Sequence, residues 1–245
     1  MLWNDQGIII HTSRHGERNI LVSLLTREHG RSKGMMTLSS NRLDTEIGTL
    51  VEARWQARLR EHLGRFQLES IFSPFSKIVS SNEALLCLTS ACSWLELLLP
   101  EHESHPDLFE EMHHFIHHVG ELNRLWHYIH FEQSILRATG IDLVLDKCAA
   151  TGQMHDLLYI SPKTGRAVSA GAGEPYREKL LELPDCLRPQ AKSEEIYSLQ
   201  DLLLGLDVLE YFLEHFVLQV HNLKIPNVRQ RLRSCVVRSL NHQAS

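Results

Sequence analysis

The stretch Val51-Glu52-Ala53-Arg54-Trp55-Gln56-Ala57-Arg58-Leu59 alternates strictly between apolar and polar side chains. Successive side chains of a strand point to opposite faces of the sheet, so this period of two predicts a strand with one face in a core and one face in solvent. By the same parity, Trp55 points into the core, while Arg54 and Arg58 point to solvent. Arg60 joins the exposed series if the strand continues that far.

Residues 1–75 contain five short runs with the composition of β-strands. The first two runs are rich in β-branched residues or leucine and are bounded by turn residues, such as His29-Gly30. Five short strands in a segment of this length suit a small barrel, because closing the sheet leaves no exposed edge. The runs cover residues 7–10, 19–26, 34–38, 49–57 and 66–72.

From Asn82 onward the apolar period becomes helical. The strongest pattern is a stripe of seven apolar residues, spaced alternately four and three apart, which places all of them on one side of a single helix. A core-facing helix and a partner-binding groove would both produce this stripe, and Pro226 then ends or kinks the helix. The stripe consists of Leu202, Leu206, Leu209, Leu213, Phe216, Val220 and Leu223.

Residues 142–175 differ in sequence pattern from the predicted helices on either side. Two short extended runs flank the turn Ser161-Pro162-Lys163-Thr164-Gly165, which predicts a β-hairpin. The predicted fold class is therefore α+β with more than one domain. A small β-barrel occupies residues 1–75, and a helical domain occupies residues 76–245 and carries the hairpin-containing insertion at 142–175.

Charge is divided unevenly along the 245 residues. The chain has 25 Lys+Arg and 30 Asp+Glu, and the net charge of −5 argues weakly against a protein that coats nucleic acid. Residues 1–75 nevertheless carry a net charge of +2, residues 76–245 carry −7, and residues 224–245 hold five basic residues and no acid. This asymmetry indicates an anionic partner for the two ends and protein contacts for the acidic middle.

The sequence has the features of a cytoplasmic protein that does not associate with a membrane. The N-terminus lacks the basic start and apolar core of a secretory signal, and the most apolar stretch, residues 84–100, is too short and too polar to span a bilayer. The five cysteines are odd in number and lack C-x-x-C spacing, which is typical of free thiols in a reducing compartment.

No sequence pattern supports a catalytic centre. Phosphate-loop, dinucleotide-binding and nucleophile-elbow signatures are absent, so we expect neither an enzyme nor a cofactor. In His113-His114-x-x-His117-His118, residues four apart share a helix face and form two possible metal clamps. Because spacing identifies no third ligand, a solvated histidine-rich face is the simpler interpretation, and a metal-dependent enzyme is an alternative.

Basic residues of the barrel segment are candidate nucleic-acid contacts. Arg31 and Lys33 share parity on one run, and Trp55 and Phe66 lie nearby in the sequence. Basic side chains beside aromatic rings on a small barrel are the ingredients for holding a phosphate backbone while bases stack. The ordinary wet face of a sheet would show the same pattern.

The order of motifs along the chain resembles the RecO family of bacterial recombination mediators in DNA repair. The resemblance covers the chain essentially from end to end. It rests on the order and spacing of several motifs: Gly7-Ile8-Ile9-Ile10, Glu17, residues 24–31, Phe131-Glu132, Leu136, Thr139-Gly140-Ile141-Asp142-Leu143, and residues 148–152 and 159–169.

This resemblance implies an N-terminal OB-fold, a helical domain and a small central module. It also implies binding to single- and double-stranded DNA, annealing of complementary strands, and loading of RecA together with RecR and the single-strand-binding protein. RecR would contact the OB domain, and the C-terminal tail of the single-strand-binding protein would dock on the helical domain. A nucleoid-associated location and the lack of a cofactor follow from the same resemblance.

Two departures from the family pattern bear on the site. Many relatives bind zinc in the central module through two C-x-x-C pairs, whereas this chain keeps only Cys148 there, so we expect no metal. Relatives also carry a basic stretch after the third strand, where residues 37–42 of this chain retain only Arg42, and the loss of charge weakens phosphate binding. The remaining candidates are Arg31, Lys33, Arg42, Arg54, Arg58 and Arg60 in the barrel segment and Lys224, Arg229, Arg231 and Arg233 in the tail.

The leading hypothesis is a non-enzymatic DNA-binding mediator that contacts phosphates through Arg and Lys and reads little sequence. The alternative is a protein-interaction adaptor with weak or no DNA binding of its own. The acidic middle and the depleted basic loop favour that alternative.

Overall fold

The computed structural model describes residues 1–37, 45–59 and 62–243. The chain divides into two compact units, the first covering Met1–Arg124 and the second beginning at Leu125. Within the described ranges, no helix is long and apolar enough to cross a membrane. Arg42 and Arg60, two of the predicted DNA contacts, lie outside the described residues.

Five strands of the first unit form a closed barrel. They are β1 (Leu2–His15), β2 (Asn19–Thr26), β3 (Gly30–Thr37), β4 (Leu50–Gln56) and β5 (Gly64–Phe72). Their order around the barrel is β1-β2-β3-β5-β4, and all neighbours are antiparallel except β3 and β5, which pair in parallel. Closure confirms the predicted small barrel, and the number of strands agrees with the OB-fold that the resemblance implies.

The alternation in β4 is the reason that one face of this strand lies in the barrel core. Val51 and Trp55 are buried, whereas Arg54 is exposed. The indole N–H of Trp55 donates to the carbonyl of Lys33 at 3.0 Å, so the one polar atom of this ring is satisfied in the core. Trp55 therefore points inward, as its parity predicts.

Gly64 opens β5 at a point where the backbone passes close to the Trp55 ring. A Cβ atom on Gly64 would lie 2.1 Å from two atoms of the indole, far inside van der Waals contact. A residue without a side chain is needed here so that the barrel can close around the indole.

Three helices follow the barrel in the first unit. They are α1 (Phe75–Ile78), α2 (Asn82–Leu98) and α3 (Pro106–His118). The side chain of Ser81 accepts a hydrogen bond from the N–H of Ala84 and so caps the start of α2. α3 begins with Pro106, which suits a first turn because it has no N–H to leave unpaired.

The last barrel strand ends just before residue 75, where the sequence predicts a domain boundary. The division into compact units falls later, so that α1, α2 and α3 belong to the same unit as the barrel. The boundary between domains 1–75 and 76–245 stays a prediction.

The second unit combines helices with a small sheet. Its helices are α4 (Arg124–Ala138), which starts at the division, α5 (Ala170–Gly173), α6 (Leu199–Phe212) and α7 (Asn227–Gln243). Its strands are β6 (Leu157–Ile160), β7 (Ala167–Ser169) and β8 (Leu181–Glu182), arranged in the order β7-β6-β8. β6 and β7 pair antiparallel around residues 161–166, which confirms the predicted hairpin.

A π-helical turn interrupts the apolar stripe. It covers Leu213–Leu218, directly after α6. The wider turn changes which side chains face inward, so that Val217 is buried while Phe216 is 36% exposed. The helix then ends at Leu218, before Pro226, and Val220 lies beyond it and is 71% exposed. The predicted single-sided stripe is therefore wrong beyond Leu213, because the spacing of apolar residues reveals neither a change of helix type nor this early end.

Candidate nucleic-acid interface

Two exposed arginines meet on the outer face of the barrel between β4 and β5. Arg54 pairs in register with Gln67, and Gln56 pairs with Arg65. Arg54 and Arg65 are therefore diagonal neighbours on one face, within reach of each other's long side chains. Both are exposed, and Arg58 is exposed beyond the end of β4.

These three arginines differ in their surroundings from Arg27, Arg31 and Lys33, which form ion pairs. In the described part of the chain, no ion pair holds Arg54, Arg58 or Arg65 against a carboxylate. The acidic residues of the same face, Glu52 and Glu69, pair with each other in register, and Glu69 is the other diagonal neighbour of Arg54. Because the described residues show no ion pair between Arg54 and either carboxylate, the end of this face at Arg65 is positive and open to an anionic ligand. We define Arg54 and Arg65 together with Arg58 as the open arginine face.

Arg65 is a candidate that the sequence analysis missed. It precedes Phe66, which is buried, so the alternation that exposes Arg54 also exposes Arg65. The period of two in β5 was a sufficient signal to find it.

The aromatic residues near these arginines are not free to stack on bases. Trp55 is 1% exposed and Phe66 is 4% exposed, and both belong to the barrel core. The pairing of basic residues with stacking rings, one interpretation of the sequence, does not occur at these two positions. The open arginine face offers charge for phosphate groups without an adjacent stacking platform from Trp55 or Phe66.

Arg31 and Lys33, predicted as DNA contacts, are engaged in ion pairs on β3. The Glu96 carboxylate forms ion pairs with Arg31 and with Lys33, each with an N–O distance of 3.1 Å. Lys33 also pairs with Glu101 at an N–O distance of 3.1 Å. Arg31 also donates through Nε to the carbonyl of Leu99 at 2.7 Å. We call Arg31, Lys33, Glu96 and Glu101 the β3 ion cluster.

The pKa values of the β3 ion cluster follow from its geometry. Burial alone would raise the pKa of Glu96, but the hydrogen bonds from Ser23 and Lys33 and the charge of Arg31 outweigh it and lower that pKa. Burial alone would lower the pKa of Lys33, but its bonds to Glu101 and Glu96 outweigh it and raise that pKa. Both groups are thereby held in their charged forms.

The predicted basic residues of the tail lie in three different environments. Lys224 and Arg231 are exposed. Arg233 is partly exposed and forms a two-pronged pair with Asp207, with N–O distances of 2.6 and 2.8 Å.

Arg229 is completely buried and faces a carboxylate. Its guanidinium bonds Glu132 at 2.7 and 3.1 Å, and neither side chain is exposed. A phosphate has no path to a guanidinium in this position, because both the side chain and its partner are closed off from solvent. We therefore remove Arg229 from the candidate set.

The histidine cluster lies in the last turns of α3. The rings of His114 and His118 stack with centroids 4.0 Å apart, and the ring of His117 stacks on Phe72 at 4.1 Å. Nδ1 of His117 and of His118 each donates to the carbonyl four residues earlier. Burial is the main reason that the pKa values of His113 and His114 are lowered. The charges of His117 and His118, one helical turn later, lower them further. The interpretation of this cluster as a histidine-rich helix face without a metal stays a prediction.

Cys148, the residue left from the family's zinc pattern, is buried. Its Sγ accepts the backbone N–H of Ser169 at 3.2 Å and lies 3.3 Å from the Ser169 hydroxyl oxygen. Burial alone would raise the pKa of this thiol, but hydrogen bonds from Ser169 and Thr151 outweigh it and lower the pKa to about 6. The absence of zinc from this module stays a prediction.

Comparison with known proteins relates the whole chain to one family. The family model described as Recombination protein O N terminal matches residues 1–75, and the one described as Recombination protein O C terminal matches residues 80–222. Together these matches span the barrel and most of the second part of the chain. The chain belongs to the RecO family.

Similar RecO proteins match nearly the full length of the chain. The DNA repair protein RecO of Wolbachia pipientis subsp. Culex pipiens (strain wPip) is 37% identical over 239 residues, which cover 96% of this chain and 99% of that protein. The DNA repair protein RecO of Rhodopseudomonas palustris (strain HaA2) is 43% identical over 223 residues, covering 89% of each.

The two RecO family matches divide the candidate residues. The open arginine face and the β3 ion cluster's basic residues fall within the N-terminal match. Lys224, Arg231 and Arg233 lie beyond residue 222, outside both matched segments. The barrel candidates thus belong to a segment that defines the RecO family, and the tail candidates do not.

Proposed function

We propose that this chain is a DNA-binding recombination mediator without enzymatic activity. Membership of the RecO family supports a role in DNA repair and recombination. In the proposed function the chain anneals complementary strands and, with RecR and the single-strand-binding protein, helps to load recombinase onto single-stranded DNA. It acts in the cytoplasm at the nucleoid and needs no cofactor.

The observation that carries the DNA-binding part of the proposal is the open arginine face. Arg54 and Arg65 are exposed neighbours without a carboxylate in ion-pair contact in the described ranges. Guanidinium groups match phosphate geometry and stay charged at all physiological pH values. Because phosphate contacts carry no sequence information, the chain would bind DNA with little preference for sequence.

The tail offers a second, smaller source of positive charge. Lys224 and Arg231 are exposed, and Arg238 follows Arg231 by two helical turns on the same side of α7. Their separation along the helix leaves room for contacts to different phosphates of one strand. We expect them to add to binding, whereas Arg233 is occupied by Asp207.

Titration of labelled single-stranded DNA at low salt, followed by fluorescence anisotropy, tests this proposal. Loss of two phosphate contacts in Arg54→Gln/Arg65→Gln should reduce the slope of log affinity against log salt by about 1.4. The matched control Arg166→Gln/Arg177→Gln removes two exposed arginines elsewhere and should leave the slope unchanged. If micromolar wild-type protein, alone and with RecR, causes no change in anisotropy, the proposal that this chain binds DNA is overturned.

The adaptor remains a second candidate because the β3 ion cluster neutralises two of the predicted barrel cations. In that case RecR and the tail of the single-strand-binding protein would be the main ligands of the chain. A pull-down with RecR and with the tail peptide separates the two functions. Retention of neither partner, together with tight DNA binding, would reject the adaptor.

A further inference from the structure

We propose that Arg31 and Lys33 form a phosphate-binding site on β3 that the chain keeps filled with its own carboxylates, Glu96 and Glu101. The ligand of the emptied site would be the phosphodiester backbone of single-stranded DNA. This inference rests on the proposed DNA-binding function and adds a second site to it. The carboxylates act as an internal competitor for that site.

The position of the β3 ion cluster on the barrel supports this assignment. Glu96 accepts the hydroxyl of Ser23 on β2 at 2.7 Å and bonds Arg31 and Lys33 on β3. The cluster therefore lies on the outer face of β2 and β3, covered at Ser23, which is 1% exposed, and partly open at Lys33 and Glu101. In OB-folds, the face of strands 2 and 3 is the surface that binds oligonucleotides.

The contacts within the cluster are those that a phosphate would also make. Lys33 Nζ is shared between Glu96 and Glu101, at 3.1 Å from each. Arg31 presents NH1 to Glu96 and NH2 toward Glu101, at 3.1 and 3.6 Å. Arg and Lys side chains that bind carboxylate oxygens at hydrogen-bond distance are also able to bind phosphate oxygens.

The cluster is open enough at one edge for an exchange of anions. Side-chain exposure is 29% for Lys33 and 39% for Glu101, but only 11% for Arg31. Partly exposed ion pairs contribute little net free energy, so a polyanion is able to displace them. Lys33 and Glu101 are therefore the partners that separate, while Arg31 stays in place.

The two carboxylates are held to different extents. Glu96 is fixed by Ser23 in addition to both cations. Among the described residues, the ion pairs of the Glu101 carboxylate are those with Arg31 and Lys33. The Glu101 backbone forms a bridge with Arg31, and the N–H of His102 donates to the Arg31 carbonyl at 2.9 Å. Rotation of the Glu101 side chain would remove one of the two carboxylates that hold Lys33, without moving the backbone. Glu101 is thus the displaceable part of the internal competitor.

Charge-neutral variants of the full chain test the site. In Glu101→Gln, affinity for an oligothymidylate should rise about fivefold to tenfold at about 50 mM salt, and the salt slope should steepen by about 0.7, as expected for one more phosphate contact. The affinity of Glu96→Gln/Glu101→Gln for the oligothymidylate should rise at least as much. Glu121→Gln removes an exposed carboxylate of the same unit and should change neither quantity.

A second substitution identifies the cation that the competitor covers. Lys33→Gln should abolish the gain when combined with Glu101→Gln and should have little effect in the wild-type background. Circular dichroism and thermal unfolding show which variants are folded, and Glu101→Gln keeps the test available if Glu96→Gln destabilises the unit.

The outcomes separate this inference from the proposed function. Binding by wild type, with affinity and slope unchanged in Glu101→Gln, would overturn the internal competitor and leave the proposed function standing. Binding by wild type, with a higher affinity and a steeper salt slope in Glu101→Gln, would support the competitor. An equal gain in Glu121→Gln would overturn the specific site, because the effect would then be one of net charge. Failure of all variants to bind would overturn both.

Discussion

Arg229 and Glu132 form a fully buried, two-pronged ion pair, with Nε to Oε1 at 2.7 Å and NH2 to Oε2 at 3.1 Å. The same carboxylate accepts the hydroxyl of Tyr128 at 2.9 Å, and the guanidinium donates to the carbonyl of Leu206. Burial alone would lower the pKa of Arg229, but the charge of Glu132 outweighs it and raises that pKa. The pair joins α4 to α7 and fixes the last helix on the second unit.

Breaking this pair on one side should be more harmful than removing both charges. Arg229→Met leaves the Glu132 carboxylate buried without its cation, which should reduce the free energy of unfolding by about 3 to 5 kcal/mol. Arg229→Met/Glu132→Gln removes both charges and keeps an acceptor for Tyr128, so it should be more stable than the single variant. Urea denaturation gives the free energy of unfolding of wild type, the single variant and the double variant. A double variant less stable than Arg229→Met would contradict this account.

The π-helical turn and the end of the helix at Leu218 predict different costs of substitution at two positions of the apolar stripe. Leu213 is fully buried, so Leu213→Ala should reduce the free energy of unfolding by about 2 to 5 kcal/mol. Val220 is 71% exposed, so Val220→Ala should change it by no more than about 0.5 kcal/mol. The two substitutions serve as controls for each other in urea denaturation. Comparable losses would mean that the helix continues in regular α form and that the stripe is single-sided after all.

The sequence predicts the features of this fold that depend on local periodicity. Alternation in residues 51–56 predicts β4 and the inward direction of Trp55, and the turn at residues 161–165 predicts the hairpin of β6 and β7. The π-helical turn leaves no such signal, because apolar residues at spacings of three and four fit a regular helix equally well.

The candidate site was harder to predict because the state of a charge depends on partners that are distant in sequence. Arg229 and Glu132 are 97 residues apart, and Arg31 and Glu96 are 65 apart. A tail rich in arginine and free of acids gives no sign that one of its arginines is buried. Arg65, by contrast, was accessible to the same parity argument that identifies Arg54.

The β3 ion cluster predicts how the stability of the first unit depends on pH. The pKa of Glu96 is lowered from its ordinary value of 4.5, so its contribution is present above pH 4.5 and is lost as the pH falls through the folded-state pKa. The pKa of Lys33 is raised from 10.5, so its contribution is present below pH 10.5 and is lost at higher pH. The cluster therefore stabilises the unit fully only between these two limits.

Comparison with Glu96→Gln tests the acidic limit. Wild type should exceed this variant in free energy of unfolding by about 1 to 2 kcal/mol at neutral pH, and the difference should shrink as the pH falls below 4.5. Glu121→Gln, which removes an exposed carboxylate of the same unit, should show no comparable trend. A difference between wild type and Glu96→Gln that is the same at acidic and neutral pH would refute the link to Glu96 ionisation.

Gly64 predicts a local steric effect on the barrel core. In Gly64→Ala, the new methyl group must displace the Trp55 ring, which would otherwise lie 2.1 Å away, and the indole bond to the Lys33 carbonyl would be strained. Overpacking of this kind should reduce the free energy of unfolding by about 1 to 3 kcal/mol and alter the tryptophan fluorescence. Gly171→Ala is the matched control, because no atom lies within 4 Å of its added Cβ and the site is in a short helix. That control should be neutral or slightly stabilising.

Combining Gly64→Ala with Trp55→Phe, which shortens the ring at the point of collision, should cost less than the sum of the two single changes. Strict additivity would show that the indole is not what the alanine meets.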